Sequence, residues 1–220
     1  MKTHFKHILL AIAVSAVTTA SATVSGIISE TWSGSQIIPD NNASGVAFNF
    51  NVAAGGPFVI TNVEVSLNIA GGWNGDLYAY LSHGSGFSVL LNRTGRTAGN
   101  SAGSGVSGMS LTLADNYLPD VHTAVNNPLT GNFAPDGRFV NPFTTLDTDT
   151  RTAFLSSFNN LDPNGSWTLF FADVAPLAGS TIQNWTVSLG VTVPIPEPGS
   201  MALFGLAAAL YGTRRSWRRR

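Results

Sequence analysis

Carboxylate oxygens are the most plentiful reactive groups in the middle of this sequence, so ion binding is the first chemistry to weigh. Nine aspartates and two glutamates lie between residues 23 and 194. Calcium takes several hard oxygens from carboxylates, amides and backbone carbonyls carried on loops. Asp76, Asp115 and Asp173 are the candidate ligands, with Asp40 and Asp162 in second rank. Asp147-Thr148-Asp149 has the spacing that opens a calcium loop but lacks the glycine and distal glutamate of an EF-hand. The competing role is the turn cap, in which an aspartate accepts backbone N–H bonds. Asp76 sits in a Gly75-Asp76-Leu77 corner, and nothing in the spacing makes the acids converge. The cap is therefore the preferred reading of Asp76, with calcium as the minority one. No organic cofactor is implied.

Nucleophilic chemistry has one spelling to offer. Gly99-Asn100-Ser101-Ala102-Gly103 fits Gly-x-Ser-x-Gly, yet an acyl-transfer serine needs a sharp strand-to-helix elbow. Residues 92 to 108 are rich in Gly, Ser, Thr and Asn and read as a flexible surface loop. His83 and His122, the histidines beyond residue 22, read as polar surface or edge residues. Glycoside hydrolysis needs two carboxyls facing one cleft, and no spacing singles out a pair. No catalytic residue is assigned. Trp32, Trp73, Tyr78 and Tyr80 offer aromatic faces that either stack on sugar rings or pack along strands. Cysteine is absent, which excludes disulfides, thiolate catalysis and Cys-zinc sites.

The elements that would position these groups follow from composition. Only 10% of the 220 residues are charged, against roughly a quarter in average soluble proteins. Two lysines and three glutamates leave too few long polar side chains for the wet face of a helical bundle or coiled coil. Residues 23 to 194 hold four arginines (Arg93, Arg96, Arg138, Arg151) and no lysine against eleven acids, a net charge of −7. That balance argues against nucleic acid, whose binding needs a basic surface.

The body alternates with period 2. Val63, Val65, Leu67 and Ile69 alternate with Glu64, Ser66 and Asn68. Val46, Phe48 and Phe50 repeat the pattern, as do Leu77, Ala79 and Leu81, then Met109, Leu111 and Leu113. So do Trp167, Leu169 and Phe171, and Trp185, Val187 and Leu189. Such runs are half-buried strands, and Pro/Asp/Asn/Gly clusters separate them. They predict an all-β antiparallel sandwich or jelly roll of about eight or nine strands. Only Thr150 to Phe158 is suited to a helical turn or two, and residues 126 to 149 read as a long connection.

The two ends read as addresses. Lys2 and Lys6 precede an apolar run, Ile8 to Val17, and Ala20-Ser21-Ala22 supplies a small-x-small cleavage pattern. Residues 1–22 are thus a helical signal peptide, cut by signal peptidase after Ala22. At the other end, Pro196-Glu197-Pro198 precedes an uncharged stretch from Gly199 to Gly212 and then Arg214, Arg215, Arg218, Arg219 and Arg220. That stretch is short for a spanning helix and inserts only with arginine snorkelling, leaving the arginines cytoplasmic. The tail resembles the PEP-CTERM sorting signal of exported proteins of Gram-negative cells. The resemblance implies an exosortase as processing partner and an association with exopolysaccharide and biofilm systems.

The body resembles a second family. Gly75-Asp76-Leu77, the strand from Ile60 to Ile69 and the Val89 to Leu91 strand end look like the centre of the P/Homo B domain of proprotein convertases. Leu155…Phe158…Gly165-Ser166-Trp167-Thr168-Leu169 and Asp173…Gly179-Ser180-Thr181-Ile182…Trp185 resemble its closing strands. Ile38-Pro39-Asp40 and Val46 to Val52 resemble its opening strand. Asn159 or Asn160 stands where glycine is usual, and the histidine usual before the Gly-Asp-Leu corner is lacking. The resemblance covers about residues 35–190 and implies a protease-associated module.

The expected organisation is therefore a signal peptide (1–22), a P-domain-like sandwich (23–193) and a sorting tail with a short apolar helix (194–220). The expected role is a non-catalytic, exported, surface- or matrix-associated binding or structural protein, anchored in the membrane before processing. The alternative is a protease-accessory domain or a hydrolase.

Overall fold

The computed structural model describes residues 23–124 and 126–194. The expected signal peptide with Ala20 and Ala22, and the tail with Pro196, Glu197, Pro198 and its arginines, lie outside the described residues. Val24–Val193 form one compact unit.

Among the described residues nine strands make two sheets. They are β1 (Thr23–Ile38), β2 (Asn42–Val52), β3 (Val59–Gly71), β4 (Leu77–His83), β5 (Gly86–Asn92), β6 (Met109–Leu113), β7 (Leu129–Phe133), β8 (Gly165–Asp173) and β9 (Ser180–Pro194). One sheet runs β1-β9-β3-β6-β7 and the other β2-β8-β4-β5. The all-β sandwich expected from the period-2 pattern is present. Short 3-10 turns at Asn74–Asp76, Val121–Thr123 and Leu155–Phe158 are its helical elements among the described residues. The last falls where a helical turn was expected. No described helix is long and apolar enough to cross a membrane.

Alternation decides what each sheet buries. Val63, Val65, Leu67 and Ile69 of β3 point inward, while Glu64, Ser66 and Asn68 face out. Strand β9 pairs antiparallel with β3, placing Trp185 opposite Leu67 and Val187 opposite Val65. In the facing sheet β8 runs between β2 and β4, with Trp167 opposite Phe50 and Leu169 opposite Leu81. Trp167 is fully buried, its ring 6.2 Å from Phe50 and 5.1 Å from Phe158. Its indole N–H donates to the Pro163 carbonyl at 3.0 Å. Trp185 is 4% exposed and lies 5.1 Å from Phe50, so both tryptophans enter one core.

Three features depart from the sequence reading. Strand β7 lies within the expected connection and pairs parallel to β6, with Met109 opposite Leu129. A parallel pair needs a crossover, and the chain between β6 and β7 supplies it through the Val121–Thr123 turn. Strand β1 is long but mostly exposed, so it lacks the half-apolar pattern that marks a strand. It is fixed at the edge by cross-strand hydroxyl pairs, Ser29 with Ser188 and Thr31 with Thr186, each at 3.0 Å. Residues 92–108 do not form a loose loop: Asn92 and Thr94 are fully buried and Arg93 is 6% exposed. Gly75 N–H donates to Ser104 at 2.8 Å, and a Cβ on Gly75 would strike the backbone of 102–104. Gly75 is thus a close-approach glycine that lets this segment lie flat on the corner.

Candidate functional site: an aromatic groove on the four-stranded sheet

The inner phase of β4 and β8 is aliphatic and aromatic core, so their outer phase would be expected to be polar. Ser82, Ser166 and Thr168 keep that rule, but the remaining stretch is aromatic instead. Tyr78 and Tyr80 of β4 and Phe170 of β8 all point outward and are half-buried. Register puts Tyr80 directly opposite Phe170, and the rings stack at 4.8 Å and 19°. Phe87 of β5 continues the row at 5.2 Å from Tyr80.

A wall rises beside this floor. Phe139 is 65% exposed and Phe143 53% exposed, with Asn141 exposed between them. Floor and wall flank an open groove of about 530 Å³ in which no lining side chain is charged. The volume is in the range of small-ligand sites.

Buried polar groups hold the wall. The fully buried Asn92 donates its amide N–H groups to the carbonyls of Arg138 and Val140, both at 3.0 Å. Arg96 donates to Pro142 at 3.1 Å and Thr145 at 3.2 Å. Phe139 rests against Phe87 at 5.1 Å. Behind the wall stands a buried charged network centred on Asp136. His122 Nδ1 meets the Asp136 carboxylate at 2.7 Å, and Nε2 meets the Arg96 carbonyl at 2.7 Å. Both partners accept, an arrangement that favours the ring protonated at both nitrogens. Burial pulls the His122 pKa down, but the Asp136 bond and charge and the Arg96 carbonyl outweigh it and hold it above its usual value. Arg138 binds Asp136 at 3.4 Å and Asp120 at 3.5 Å. Arg151 donates to the Asp136 carbonyl at 2.9 Å.

The groove also tunes one phenol. Burial, then the neighbouring Tyr80 and Asp136, push the Tyr78 pKa up to about 12. Its hydroxyl therefore stays protonated and available as a donor.

The sequence-derived candidates are scattered by comparison. Asp76 is not a turn cap: its carboxylate is 2% exposed and faces the Arg93 guanidinium at 3.7 Å, with Oδ2 left without a hydrogen-bond partner. Residues 93–104 cover it, so its partner is a charge and not a turn N–H. Asp173 stands opposite Leu77, next to Asp76, and Val174 N–H donates to the Asp76 carbonyl at 2.9 Å. Burial first, then the charges of Asp76 and Asp40, lift the Asp173 pKa to about 6 against the N–H bonds from Ala175 and Asn41. Asp115 is committed to the Leu155 and Ser156 N–H groups at 3.0 and 2.7 Å. Asp40 accepts from Leu177 N–H at 3.3 Å, and Asp162 accepts from Asn164 at 2.9 Å. The structure thus joins Asp76 with Asp173 but gives Asp115 a separate task. Among the described residues no three His, Asp or Glu side chains are grouped to hold a metal ion.

Neither histidine is a surface or edge group. His122 is 1% exposed, and His83 is 8% exposed and stacks on Trp167 at 4.1 Å. Both His83 ring nitrogens point at carbonyls, Ser166 at 2.9 Å and Asp162 at 2.8 Å. Ser101 lies exposed in a turn and not in a strand-to-helix elbow. Of the four aromatics proposed for sugar, Trp32 packs on Phe48 at 4.8 Å, and Trp73, 40% exposed, precedes the Asn74–Asp76 turn. Only Tyr78 and Tyr80 reach the groove. The reading missed Phe139, Phe143 and Phe170; of these, Phe170 was findable as an aromatic on the outer phase of its strand.

Comparisons with known proteins support one end of the chain. Residues 194–220 match the PEP-CTERM protein-sorting motif. The motif implies an exported protein, held transiently in the membrane and processed by an exosortase. No curated protein matches the chain. Two solved structures from Aeromonas sobria are similar. One is its serine protease, at 12% identity and TM-score 0.41, covering 80% of this chain and 28% of that one. The other is a chain of the complex of that protease with its chaperone, at 14% identity and TM-score 0.40, covering 77% and 27%. The chain therefore spans little more than a quarter of the length of either.

Proposed function

We propose that residues 23–193 are the body of a surface-displayed binding protein, and that the groove beside Tyr80 is its binding face. In this reading residues 1–22 are removed after Ala22, and the tail from 194 holds the chain in the membrane until an exosortase cuts it. The observation that carries the binding role is the rigid support beneath exposed aromatics. Phe139 and Phe143 leave more than half of their surface in water, yet Asn92 and Arg96 fix the backbone that presents them. Holding a binding face in its bound shape before the ligand arrives lowers the entropy cost of association. Exposed apolar surface of this kind marks interaction sites. The body works without chemistry of its own: the two imidazoles are bonded at both nitrogens and support the fold.

The test is retention. The chain and its Phe139→Ser/Phe143→Ser variant are expressed in a host with an exosortase, and cell-surface and medium fractions are compared. The variant should be processed normally and lost to the medium. Equal retention of the two proteins rejects the groove as the binding face.

A further inference from the structure

The groove has a chemistry specific enough to name its ligand class, an inference that rests on the binding role proposed above. Three properties decide it. First, charge. None of the lining side chains is ionic, while the body as a whole carries −7. A cationic ligand would find no counter-ion in the groove, and an anionic one would meet a repelling field. The complementary ligand is neutral.

Second, backbone. An extended peptide docks by adding a strand to a free sheet edge. The groove lies across β4 and β8, which are interior strands: β8 is bonded to β2 and β4, and β4 to β8 and β5. Their N–H and C=O groups are already paired, so the floor offers side chains alone.

Third, the mixture of surfaces. Tyr80, Phe170, Phe139 and Phe143 give apolar area, and polar groups stand among them. The Tyr78 hydroxyl remains protonated. The Asn141 side-chain oxygen accepts from Phe143 N–H at 2.9 Å, and the exposed Asn141 lines the groove with its amide N–H groups as donors. A purely apolar ligand would leave these donors unmatched. A pyranose matches them, because its ring faces are C–H surfaces and its rim is hydroxyl. An aromatic wall with a few fixed donors is the arrangement that such a rim and face require.

We propose that the groove binds a segment of a neutral polysaccharide, with sugar faces against the aromatic side chains and hydroxyls on Tyr78 and Asn141. The full chain is run in native gels containing a mixed-linkage β-glucan, a galactomannan, dextran or alginate. The expected result is retardation by at least one of the three neutral polymers and none by alginate. Raising salt to about 0.5 M, which screens surface charge, should leave it unchanged. Phe139→Ser/Phe143→Ser, two exposed positions, should weaken binding at least tenfold while melting with the wild type. Asn141→Ala, also exposed, should weaken it several-fold and keeps the test independent of the phenylalanines. Migration unaffected by all three neutral polymers overturns the inference, as does a preference for alginate or retardation that survives both variants. If the double variant loses surface retention while the wild type ignores every polymer, the binding face stands, its partner is a protein, and the polysaccharide falls.

Discussion

The two outer faces of the sandwich are made from the same kind of strand and have opposite characters. On the five-stranded sheet the outward residues of the inner strands are mainly hydroxyls and amides that pair across strands, Ser66 with Thr112 at 3.1 Å and Thr31 of β1 with Thr186 at 3.0 Å, while exposed Ile27 and Ile37 are confined to the edge strand β1. On the four-stranded sheet the same phase carries Tyr78, Tyr80 and Phe170, overhung by Phe139 and Phe143. Water solvates the hydroxyls and amides of the first face. The second leaves aromatic surface wet, a cost that only a ligand removes. The contrast teaches that the inner alternation specifies the fold, while the outer alternation carries the function.

The strongest way to break this contrast is to remove what the faces share. Trp167→Ala should cost about 3–5 kcal/mol, the range for a buried tryptophan, and abolish secretion or lower the melting temperature sharply. Wild-type melting would mean the faces do not rest on one core. Next comes a change aimed at one face. Asp136→Ala strands His122 and Arg138, and should cost about 3 kcal/mol because a buried charge loses its partner. Thermal melts measure the loss. Retention should vanish at temperatures where the body is still folded, since the 139–143 wall depends on this network.

Acidity offers a third test. The Asp173 carboxyl titrates at about 6 in the fold against 3.8 when free. The folded state therefore holds the proton more tightly. Stability rises as pH falls through 6 and levels off below 3.8. His122, also raised, contributes stability that is full below 6.5 and lost as pH climbs through its folded value. Both effects have one sign. The body should be more stable at pH 5 than at pH 7, by about 1 kcal/mol from Asp173 alone. Asp173→Asn should flatten the melting profile over that window; an unchanged slope would assign it elsewhere. The smallest effect belongs to the polar face: Ser66→Ala with Thr112→Ala should change stability by less than about 0.5 kcal/mol. Retention in the fractionation assay should stay at the wild-type level. Loss of retention there would move the binding face to the other sheet.

What was legible follows the range of the interaction. Val63 to Ile69 and Trp167 to Phe171 announced their strands because each alternates locally between core and solvent. Leu129–Phe133 did not, since three of its five residues are exposed and Gly131 sits at φ 125°. Asn92, Arg93 and Thr94 looked like loop residues because their partners are distant in sequence: Arg138, Val140, Gly75 and Ser104. The same holds for His122, whose burial is set by Asp136 and Arg96. In the groove, Tyr78 and Tyr80 were suspected from type alone. Phe139 and Phe143 were hidden, because nothing local tells an exposed aromatic held in place from one in a passing loop.

The position of β9 has a mechanical consequence. The strand ends at Pro194 and lies between β1 and β3, antiparallel to β3 along nearly its whole length. A pull on the chain beyond Pro194, directed along the axis of β9, meets two ladders of hydrogen bonds lying across it. Many bonds then share the tension in shear, and none can open ahead of its neighbours as in a peeling edge strand. The body is built to be tugged from its C-terminal end without unravelling.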